Sequence, residues 1–545
     1  MPEWSLLATS LASRAAELVT RQGRALSGAL RGIYEYSYVM DFNEPNWLSS
    51  LKFYTWFPLR RWLCLYFGIL PLLSGCEPLN NLPSSTPALS TPQSEAYTQC
   101  GSFCRTDSVT CASGYECCLP EAAATTSPSS SSAFSYSGTS TTSTFDATPT
   151  IIVSMAPTTP PSKAVGRLPA LGWNTWNAYR CAISETAVLA AARSFVTLGL
   201  REAGYEYVNI DDCWSLCNRD PDTSELVPDP LRFPRGIKAL ANDIHALGLK
   251  IGIYSDAGTK TCEGYPGSLG YEAVDAATWQ SWDIDYLKYD NCNVPTNWSD
   301  TSTPPGGDWY NSNSAIRFRE MGDAIANNDP PMQFGLCIWG DAHVWTWGAR
   351  VGHSWRMSGD SSSTWDYIKS IISKNVDHLS SVNFFAHNDM DMMEIGNGNL
   401  TIQEERTHFA VWAFMKSPIL LGTELARLSS EEVKIITNRE LIAFHQDSTV
   451  GKPAVPYISS TTTATKPPQF YSGKSVRGTH VFVVNTNDTS ATFNINFADV
   501  PGLHSRNVRV HDMWTSTDLG TFSGSYDVTI AAHDTAALFV APKRG

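Results

Sequence analysis

The chain has 545 residues, of which 42% are hydrophobic, 11% aromatic and 17% charged, a composition of globular proteins that excludes a fibrous or wholly disordered chain. This length can bury a large core and predicts two or more domains. The formal net charge of −14 argues against nucleic acid or an anionic membrane as a partner, because both attract Lys and Arg. A neutral substrate fits this charge better.

The first 76 residues form a predicted N-terminal extension with one apolar run. Arg60 and Arg61 precede the run WLCLYFGILPLLSG, which ends in small residues and has the shape of a signal peptide displaced from the N-terminus. The run is shorter than the ~20 residues that a membrane-spanning helix needs. We therefore predict a secreted, extracellular protein with Met40 as a candidate start of translation, and keep a membrane anchor through residues 60–75 as the alternative.

Residues 95–120 form a predicted module that is rich in cysteine. Its cysteines are Cys100, Cys104, Cys111, Cys117 and Cys118. Their density after a secretion-like run predicts a small disulfide-stapled module, whereas zinc binding is less favoured because no His lies within the cluster. Contact of this module with a polysaccharide is a hypothesis. Residues 121–165 are mainly Ser, Thr, Ala and Pro and predict a disordered linker.

Residues 166–448 alternate between strand-like and helix-like runs. The strand-like runs are ALGWNTW, YEYVNIDDCW, LKIGIYSD, IDYLKYDNC, MQFGLCIW, HSWRMSGD, VNFFAHNDMD and SPILLGT. Each is followed by a stretch with helical character, such as ISETAVLAAARSFVTLG, and eight such units predict an α/β fold, the parallel (β/α)8 TIM barrel. In residues 449–545, runs such as HVFVVNT and AALFVAP between turn residues predict a C-terminal antiparallel β-sandwich domain.

Charged residues recur where the predicted barrel strands end. From the second strand to the seventh they are Asp211, Asp212, Asp256, Lys288, Asp290, Arg356, Asp360, Asp389 and Asp391. A single one of these is more often a helix cap or an ion-pair partner. Because the C-terminal ends of barrel strands meet at one face, five strands that end in this way predict a shared pocket. Aromatic residues that suit a polyhydroxylated ring lie at neighbouring strand ends: Trp173, Trp176, Tyr254 and Trp339.

The acidic residues do not predict a metal ion or a cofactor. Lys288 and Arg356 would compete with a cation, and the sequence has no His-rich ligand spacing and no calcium loop. It also has no Gly-rich phosphate loop and no Ser nucleophile elbow. Two carboxylates with cationic neighbours instead suit glycoside hydrolysis, in which one carboxylate attacks the anomeric carbon and the other protonates the leaving oxygen.

From about residue 168 to the C-terminus, the motifs resemble those of the α-galactosidases of glycoside hydrolase family 27. They are LGWNTW, IDDCW, GIYSDAGTKTC, YLKYDNC, the RxxxD of WRMSGD, and NDxDM followed by IGN. The resemblance implies a retaining exo-glycosidase that releases terminal α-galactosyl residues from oligosaccharides or galactomannans. It implies that Asp290 is the nucleophile, that Asp360 is the general acid/base, and that no cofactor is needed.

The resemblance also implies a set of substrate-binding residues. Asp211 and Asp212 would hold the 4- and 6-hydroxyls of galactose, and Trp176 would lie beside the apolar face near C6. The remaining members are Tyr254, Cys262, Lys288, Trp339, Arg356, Asp391 and Met392. The plainer alternatives are that Tyr254 and Met392 are core residues and that Arg356 is an ion-pair partner of Asp360.

Three expectations concern the chemistry of the two carboxyl groups. Lys288 lies two residues before Asp290 on the same face of a strand and should stabilise its ionised form. Asp360 should have a raised pKa, because it must be protonated before the first step. In a retaining enzyme the two carboxyl groups lie roughly 5–5.5 Å apart.

The cysteines and sequons of this region complete the prediction. The resemblance implies the disulfides Cys181–Cys213 and Cys262–Cys292, which would tie loops at the catalytic face and leave Cys217 and Cys337 free and buried. Sequons that suit a secreted glycoprotein occur at Asn297, Asn399 and Asn487.

The sequence departs from the family pattern at three positions. Ile338 stands where many relatives carry a polar or acidic residue near the sugar 2-hydroxyl, and His387 and Met390 replace a usual Trp and Pro. These changes leave open α-N-acetylgalactosaminidase and β-L-arabinopyranosidase activities, although Asp211 and Asp212 together favour galactose. A non-catalytic galactose-binding protein is a further alternative, disfavoured because both Asp290 and Asp360 are present. The oligomeric state is not predicted.

Overall fold

The computed structural model describes residues 161–543. The predicted N-terminal extension with its signal or anchor segment, the cysteine-rich module and nearly all of the linker lie outside the described residues. Within residues 161–543 no helix is both long enough and apolar enough to cross a membrane.

Eight parallel strands form the sheet that organises the first part of the described chain. They are β1 (Leu171–Asn174), β2 (Tyr207–Asn209), β3 (Lys250–Asp256), β4 (Tyr286–Asp290), β5 (Gln333–Leu336), β6 (Ser354–Arg356), β7 (His387–Asp389) and β8 (Ile419–Leu421). Their order in the sheet is β7-β6-β5-β4-β3-β2-β1-β8. Beyond the end of β7, a parallel bridge between Met393 and Leu421 joins the two edges. The predicted (β/α)8 barrel is confirmed.

Helices surround this barrel within the described residues. They are α1 (Trp176–Tyr179), α2 (Glu185–Thr197), α3 (Leu200–Ala203), α4 (Gly236–Ala246), α5 (Glu272–Ser281), α6 (Asn313–Ile325), α7 (Trp365–Val376), α8 (Ile402–Met415), α9 (Ser430–Ile436) and α10 (Arg439–His445). The sequence of α4 shows why they pack here, because its apolar residues recur every three or four positions and form one buried stripe: Ile237, Leu240, Ala241 and Ile244.

The connection between β5 and β6 differs from the predicted strand-then-helix pattern. It consists of two short 3₁₀-helices, Asp341–Thr346 and Gly348–Arg350. Ala342 and His343 have φ values of 49°, in the left-handed region, so an α-helix cannot run through them. The chain therefore crosses this side of the barrel without a regular helix.

The C-terminal domain is built from antiparallel strands. They are β9 (Val455–Pro456), β10 (Phe470–Ser475), β11 (Gly478–Val484), β12 (Ala491–Asn496), β13 (Asn507–Asp512), β14 (Thr517–Ser523), β15 (Ser525–Ile530) and β16 (Thr535–Pro542). A six-stranded sheet has the order β14-β13-β16-β11-β10-β9, and β12 pairs with β15 in a second sheet. Phe493 and Ile495 of β12 alternate with polar neighbours and are buried in a core shared with β10, β11, β13 and β16. The predicted antiparallel β-sandwich is confirmed.

The barrel and the C-terminal domain share one hydrophobic core. Phe414 of α8 stacks on Phe482 of β11 with ring centroids 4.6 Å apart, and both belong to the main buried cluster. Polar contacts border this seam: Glu404 Oε1 lies 2.7 Å from His533 Nδ1, and Arg406 donates to Asp534 at 2.9 Å. The two domains are therefore packed as one body over this seam.

Candidate active site

A cavity opens at the C-terminal ends of the barrel strands. Its lining includes Asn174, Asn209, Tyr286, Lys288, Cys337, Arg356, Asp389, Asp391 and Met392. Of the predicted site residues, Lys288, Arg356, Asp391 and Met392 are thus brought together directly. Asp211, Asp290 and Asp360 join them through the hydrogen bonds and ion pairs described below.

Asp290 is the last residue of β4 and is 5% exposed. Its Oδ2 accepts a hydrogen bond from the Tyr254 hydroxyl at 3.0 Å, its Oδ1 accepts the Asn291 N–H at 3.0 Å, and the Cys337 thiol also hydrogen-bonds the carboxylate. Burial raises the pKa of Asp290, while the positive charges of Lys288 and Arg356 oppose this rise. Three donors therefore hold a carboxylate that burial would otherwise tend to protonate.

Lys288 forms its ion pair with Asp211 and not with Asp290, the carboxylate that it was predicted to stabilise. Its Nζ lies 2.8 Å from Asp211 Oδ2, which also accepts the side-chain N–H of Asn174 at 2.7 Å. Burial alone would lower the pKa of Lys288, but Asp211 and Asp290 are among the groups that raise it well above its usual range. Lys288 thus remains charged and acts on Asp290 through space.

Asp212 is buried beside Asp211 and accepts two backbone N–H groups. The N–H of Cys213 donates to Oδ1 at 2.7 Å, and the N–H of Glu263 donates to Oδ2 at 3.0 Å. Burial raises the pKa of Asp212 to about 7, although both hydrogen bonds lower it. Asp212 therefore ties the segment after β2 to the loop after β3.

Asp360 follows β6, and its side chain is 62% exposed. Arg356 Nη2 lies 3.1 Å from Asp360 Oδ1 and 2.9 Å from Asp391 Oδ2, so one nitrogen serves two carboxylates. Burial raises the pKa of Asp360, but Arg356 and Lys288 outweigh it and the net pKa is lowered. The expectation that Asp360 has a raised pKa is wrong for the free site. Arg356 forms an ion pair with Asp360, which is the plainer alternative stated for Arg356 in the sequence analysis.

Two family models match the chain that builds this site. One, described as alpha galactosidase A, matches residues 168–447, and the other, described as alpha galactosidase C-terminal beta sandwich domain, matches residues 465–540. A probable alpha-galactosidase B of Aspergillus oryzae is 45% identical over an alignment of 413 residues that covers 69% of this chain and 93% of that protein. The chain belongs to the α-galactosidase family, glycoside hydrolase family 27.

Solved structures of this family have the same fold. Alpha-galactosidase I from Mortierella vinacea is 35% identical, with a TM-score of 0.64 over 70% of this chain and 99% of that one. The α-galactosidase of Saccharomyces cerevisiae, solved with raffinose, is 29% identical, with a TM-score of 0.62 over 70% of this chain and 100% of that one. This family member is a glycoside hydrolase.

Both disulfides that the family resemblance implied are present. Cys181 is bonded to Cys213 and Cys262 to Cys292, so two pairs of loops at the cavity face are cross-linked. Cys217 is also disulfide-bonded, so the expectation that it is free is wrong. These bonds indicate that this α-galactosidase family member folds in an oxidising compartment.

The residue after β5 that faces the cavity is Cys337, which the sequence reasoning treated only as a leftover thiol. It is free and buried, as expected, and its Sγ lies 3.5 Å from Arg356 Nη1. Ile338, which was expected beside the sugar, is fully buried in the hydrophobic core. Alternation of side chains past the end of β5 was the signal that could have assigned Cys337 to the cavity.

Of the predicted aromatic and apolar residues, Met392 lines the cavity directly, whereas Trp176, Trp339 and Tyr254 are not part of its lining. Trp176 is half-buried, packs in one cluster with Met392, and has the Arg180 guanidinium 5.0 Å from its ring centroid. Trp339 is half-buried with a φ of 58°. Tyr254 belongs to the main core while its hydroxyl reaches Asp290, so it is both a core residue and a site residue.

Asp256 and its neighbours do not fit a metal ion. Ligand atoms of Asp256, Cys262, Asp290 and Cys292 lie within 4.8 Å of one another, but the two sulfurs are bonded to each other. Asp256 already accepts the backbone N–H groups of Gly258 at 2.7 Å and Cys292 at 2.9 Å. Its carboxylate therefore holds the loops after β3 and β4 together and does not line the cavity wall.

The remaining departures and sequons lie away from the cavity. His387 and Met390 are fully buried, and His387 Nε2 lies 3.3 Å from the carbonyl oxygen of Gly166. The sequon asparagines are exposed, as a glycosylated residue must be: Asn297, Asn399 and Asn487.

Proposed function

We propose that this protein hydrolyses terminal non-reducing α-D-galactosyl residues of galacto-oligosaccharides or galactomannans, with retention of anomeric configuration. The observation that carries the proposal is that one cavity connects the two predicted catalytic carboxyl groups. Arg356 and Cys337 both line it, with Nη1 and Sγ 3.5 Å apart. Arg356 pairs with Asp360, and Cys337 hydrogen-bonds Asp290. Relatives named α-galactosidases support the choice of sugar. The raffinose named with the yeast structure is an α-galactoside of the expected size.

In the proposed reaction Asp290 attacks the anomeric carbon while Asp360 gives its proton to the glycosidic oxygen, and the aglycone leaves as an alcohol. Water, activated by the ionised Asp360, then attacks the covalent glycosyl–enzyme and releases galactose with Asp290 restored. Arg356 keeps Asp360 ionised in the free site. A bound sugar that displaces water and draws Arg356 toward its own hydroxyls would therefore let Asp360 take up its proton.

Sugar selection in this proposal rests on the paired carboxylates after β2. Lys288 and Asn174 both bind Oδ2 of Asp211, and the remaining lone pairs of this carboxylate can accept hydrogen bonds from hydroxyl groups. Asp211 and Asp212 would bind the 4- and 6-hydroxyls, with Trp176 beside C6. Trp339, Arg356, Asp391, Met392, Tyr254, Cys262 and Lys288 complete the proposed pocket.

We also infer that the protein acts outside the cell. The disulfides and exposed sequons support a secreted glycoprotein. The predicted cysteine-rich module would then be available to contact a polysaccharide beside the catalytic domain.

The deciding experiment compares hydrolysis of a chromogenic α-galactoside by the full chain and by its Asp290→Ala variant. We expect activity that falls by at least ~10³-fold in the variant, because the nucleophile is lost. The α-N-acetylgalactosaminide and β-L-arabinopyranoside analogues serve as competing substrates, and the anomer first released, read by NMR, tests retention. A folded protein that turns over none of the three would contradict the proposed function.

A further inference from the structure

Asp360 lies in a segment, residues 357–364, that we call the acid segment. The segment joins β6 to α7. The Asp360 side chain is mostly exposed, and its ion-pair partner is Arg356. A side chain with so few contacts takes its position from its backbone. The location of the carboxyl group therefore depends on how the acid segment is anchored.

The anchor lies at the next residue, Ser361. Its N–H donates to Asp391 Oδ2 at 2.6 Å, and its hydroxyl donates to Glu394 Oε1 at 2.9 Å. The same hydroxyl accepts a hydrogen bond from Asn177 Nδ2 at 3.0 Å. Both the backbone and the side chain of Ser361 are thus fixed to neighbouring elements.

Glu394 is the centre of this anchor. It is 6% exposed, Oε1 also accepts from Asn177 Nδ2 at 2.7 Å, and Oε2 accepts from Asn397 Nδ2 at 2.7 Å. Its own N–H donates to His408 Nε2 at 3.0 Å. Every one of these hydrogen-bond partners is neutral, so the carboxylate is buried without a bonded cation.

A buried carboxylate of this kind is expensive in desolvation, and it is compensated here mainly by hydrogen bonds, with a smaller contribution from the charge of Arg180. Those bonds join α1, the acid segment and the loop after β7. We propose that Glu394 is a positioning residue, which holds Ser361 and thereby sets the location of Asp360 for proton transfer. The inference rests on the proposed function, in which Asp360 is the general acid/base.

Leaving-group dependence tests this role, because a general acid matters most when the leaving group is a poor one. In Glu394→Gln the amide nitrogen cannot accept the hydrogen bond that one carboxylate oxygen now accepts. We expect kcat/KM to fall about 10- to 100-fold with raffinose, whose leaving group is an alcohol, and less than about 3-fold with dinitrophenyl α-galactoside, whose leaving group is an acidic phenol. Ser361→Ala should show the same selectivity with a smaller loss.

Glu404→Gln is the matched control. Glu404 is also a buried carboxylate, but its hydrogen bonds run to the Thr401 N–H and to His533, and neither residue belongs to the acid segment. We expect its loss of kcat/KM, if any, to be equal for the two substrates. If Glu394→Gln lowers kcat/KM equally for raffinose and for dinitrophenyl α-galactoside, the proposal is overturned. If that variant does not fold, the same comparison is made with Ser361→Ala.

Asp360→Ala separates this inference from the proposed function. The selective loss on raffinose should be largest in this variant. If Asp360→Ala shows it and the Glu394 and Ser361 variants do not, the positioning role is wrong while the assignment of Asp360 stands. If Asp360→Ala itself shows no selectivity, the acid role proposed for Asp360 is what fails.

Discussion

At the scale of single residues, the pKa values of the two carboxyl groups are shifted in the reverse of the directions that the first step requires. Burial raises the pKa of Asp290, whereas the pKa of Asp360 is lowered, since Arg356 outweighs the effect of burial there. The first step requires the opposite arrangement, with Asp290 ionised and Asp360 protonated. In a profile of kcat/KM against pH, the alkaline limb should belong to Asp290 and the acidic limb to Asp360.

Replacement of Tyr254 by Phe tests this order. The change removes the hydroxyl that donates to Asp290 at 3.0 Å, so the ionised form loses a hydrogen bond and the pKa of Asp290 rises further. We expect the alkaline limb of kcat/KM to move to higher pH and its maximum to fall by up to about 10-fold. Movement of the acidic limb instead would show that Asp360 titrates above Asp290.

At the scale of elements, the loops after β3 and β4 are fixed to each other by two kinds of link. The Cys262–Cys292 disulfide and the Asp256 carboxylate both join them. Gly258 lies between the two loops, where a Cβ atom would meet the Cys292 carbonyl oxygen at 1.9 Å. Because Cys292 follows Asp290 by two residues, this packing sets the end of β4.

Replacement of Gly258 by Ala should therefore push the two loops apart. We expect a loss of about 1–3 kcal/mol in the free energy of unfolding, as for other overpacked sites, together with a lower kcat. Urea denaturation measures the loss. Gly359→Ala is the control for stability, because a Cβ atom there has nothing within 4 Å, and an equal loss in the two variants would contradict the steric argument.

The residues at the strand ends could be predicted from the sequence, because side chains alternate along a strand and the end of each apolar run marks the end of the strand. Lys288 and Asp290 share a face of β4 as predicted, but the ion-pair partner of Lys288 is Asp211, which is 77 residues away. Such a partner depends on how close two strands come, which periodicity does not report. The direction of the Asp360 pKa shift and the burial of Ile338 were missed for the same reason, since both depend on side-chain placement.

At the scale of the whole molecule, buried titratable groups oppose one another in their effect on stability. Burial lowers the pKa of four histidines to about 3: His387, His408, His445 and His480. Burial also raises the pKa of four carboxyl groups to about 6 or 7: Asp212, Glu272, Asp389 and Glu405. The stability that the buried neutral histidines contribute to the folded protein is lost as pH falls from about 6.5 to 3. The stability that the buried protonated carboxyl groups contribute is lost as pH rises from about 4 to 7.

These opposed effects predict a broad plateau of stability between about pH 4 and pH 6.5, with a decline on either side. Thermal unfolding across this pH range measures it. Glu405→Gln removes one titrating carboxyl group, so its stability relative to the parent chain should increase as pH rises from about 4.5 to 7. A difference that does not change with pH would contradict the contribution assigned to Glu405.

The core that continues from the barrel into the C-terminal domain predicts a single unfolding transition for residues 161–543. Phe482→Ala removes the ring that stacks on Phe414, and we expect a loss of about 3–5 kcal/mol with one cooperative transition. Phe522→Ala, at a half-buried position of the outer strand β14, should have a smaller effect. Two separate transitions by calorimetry would show that the domains unfold independently.

Trp365, the first residue of α7, follows the acid segment directly and stacks on His533 with ring centroids 4.4 Å apart. His533 precedes the last strand of the chain, so a ribosome releases it only after every catalytic side chain has been made. A nascent chain that has completed the barrel sequence still lacks this contact at the start of α7. A premature stop before residue 533 would therefore remove this contact together with β16, an interior strand of the six-stranded sheet, and with it part of the core that the C-terminal domain shares with the barrel.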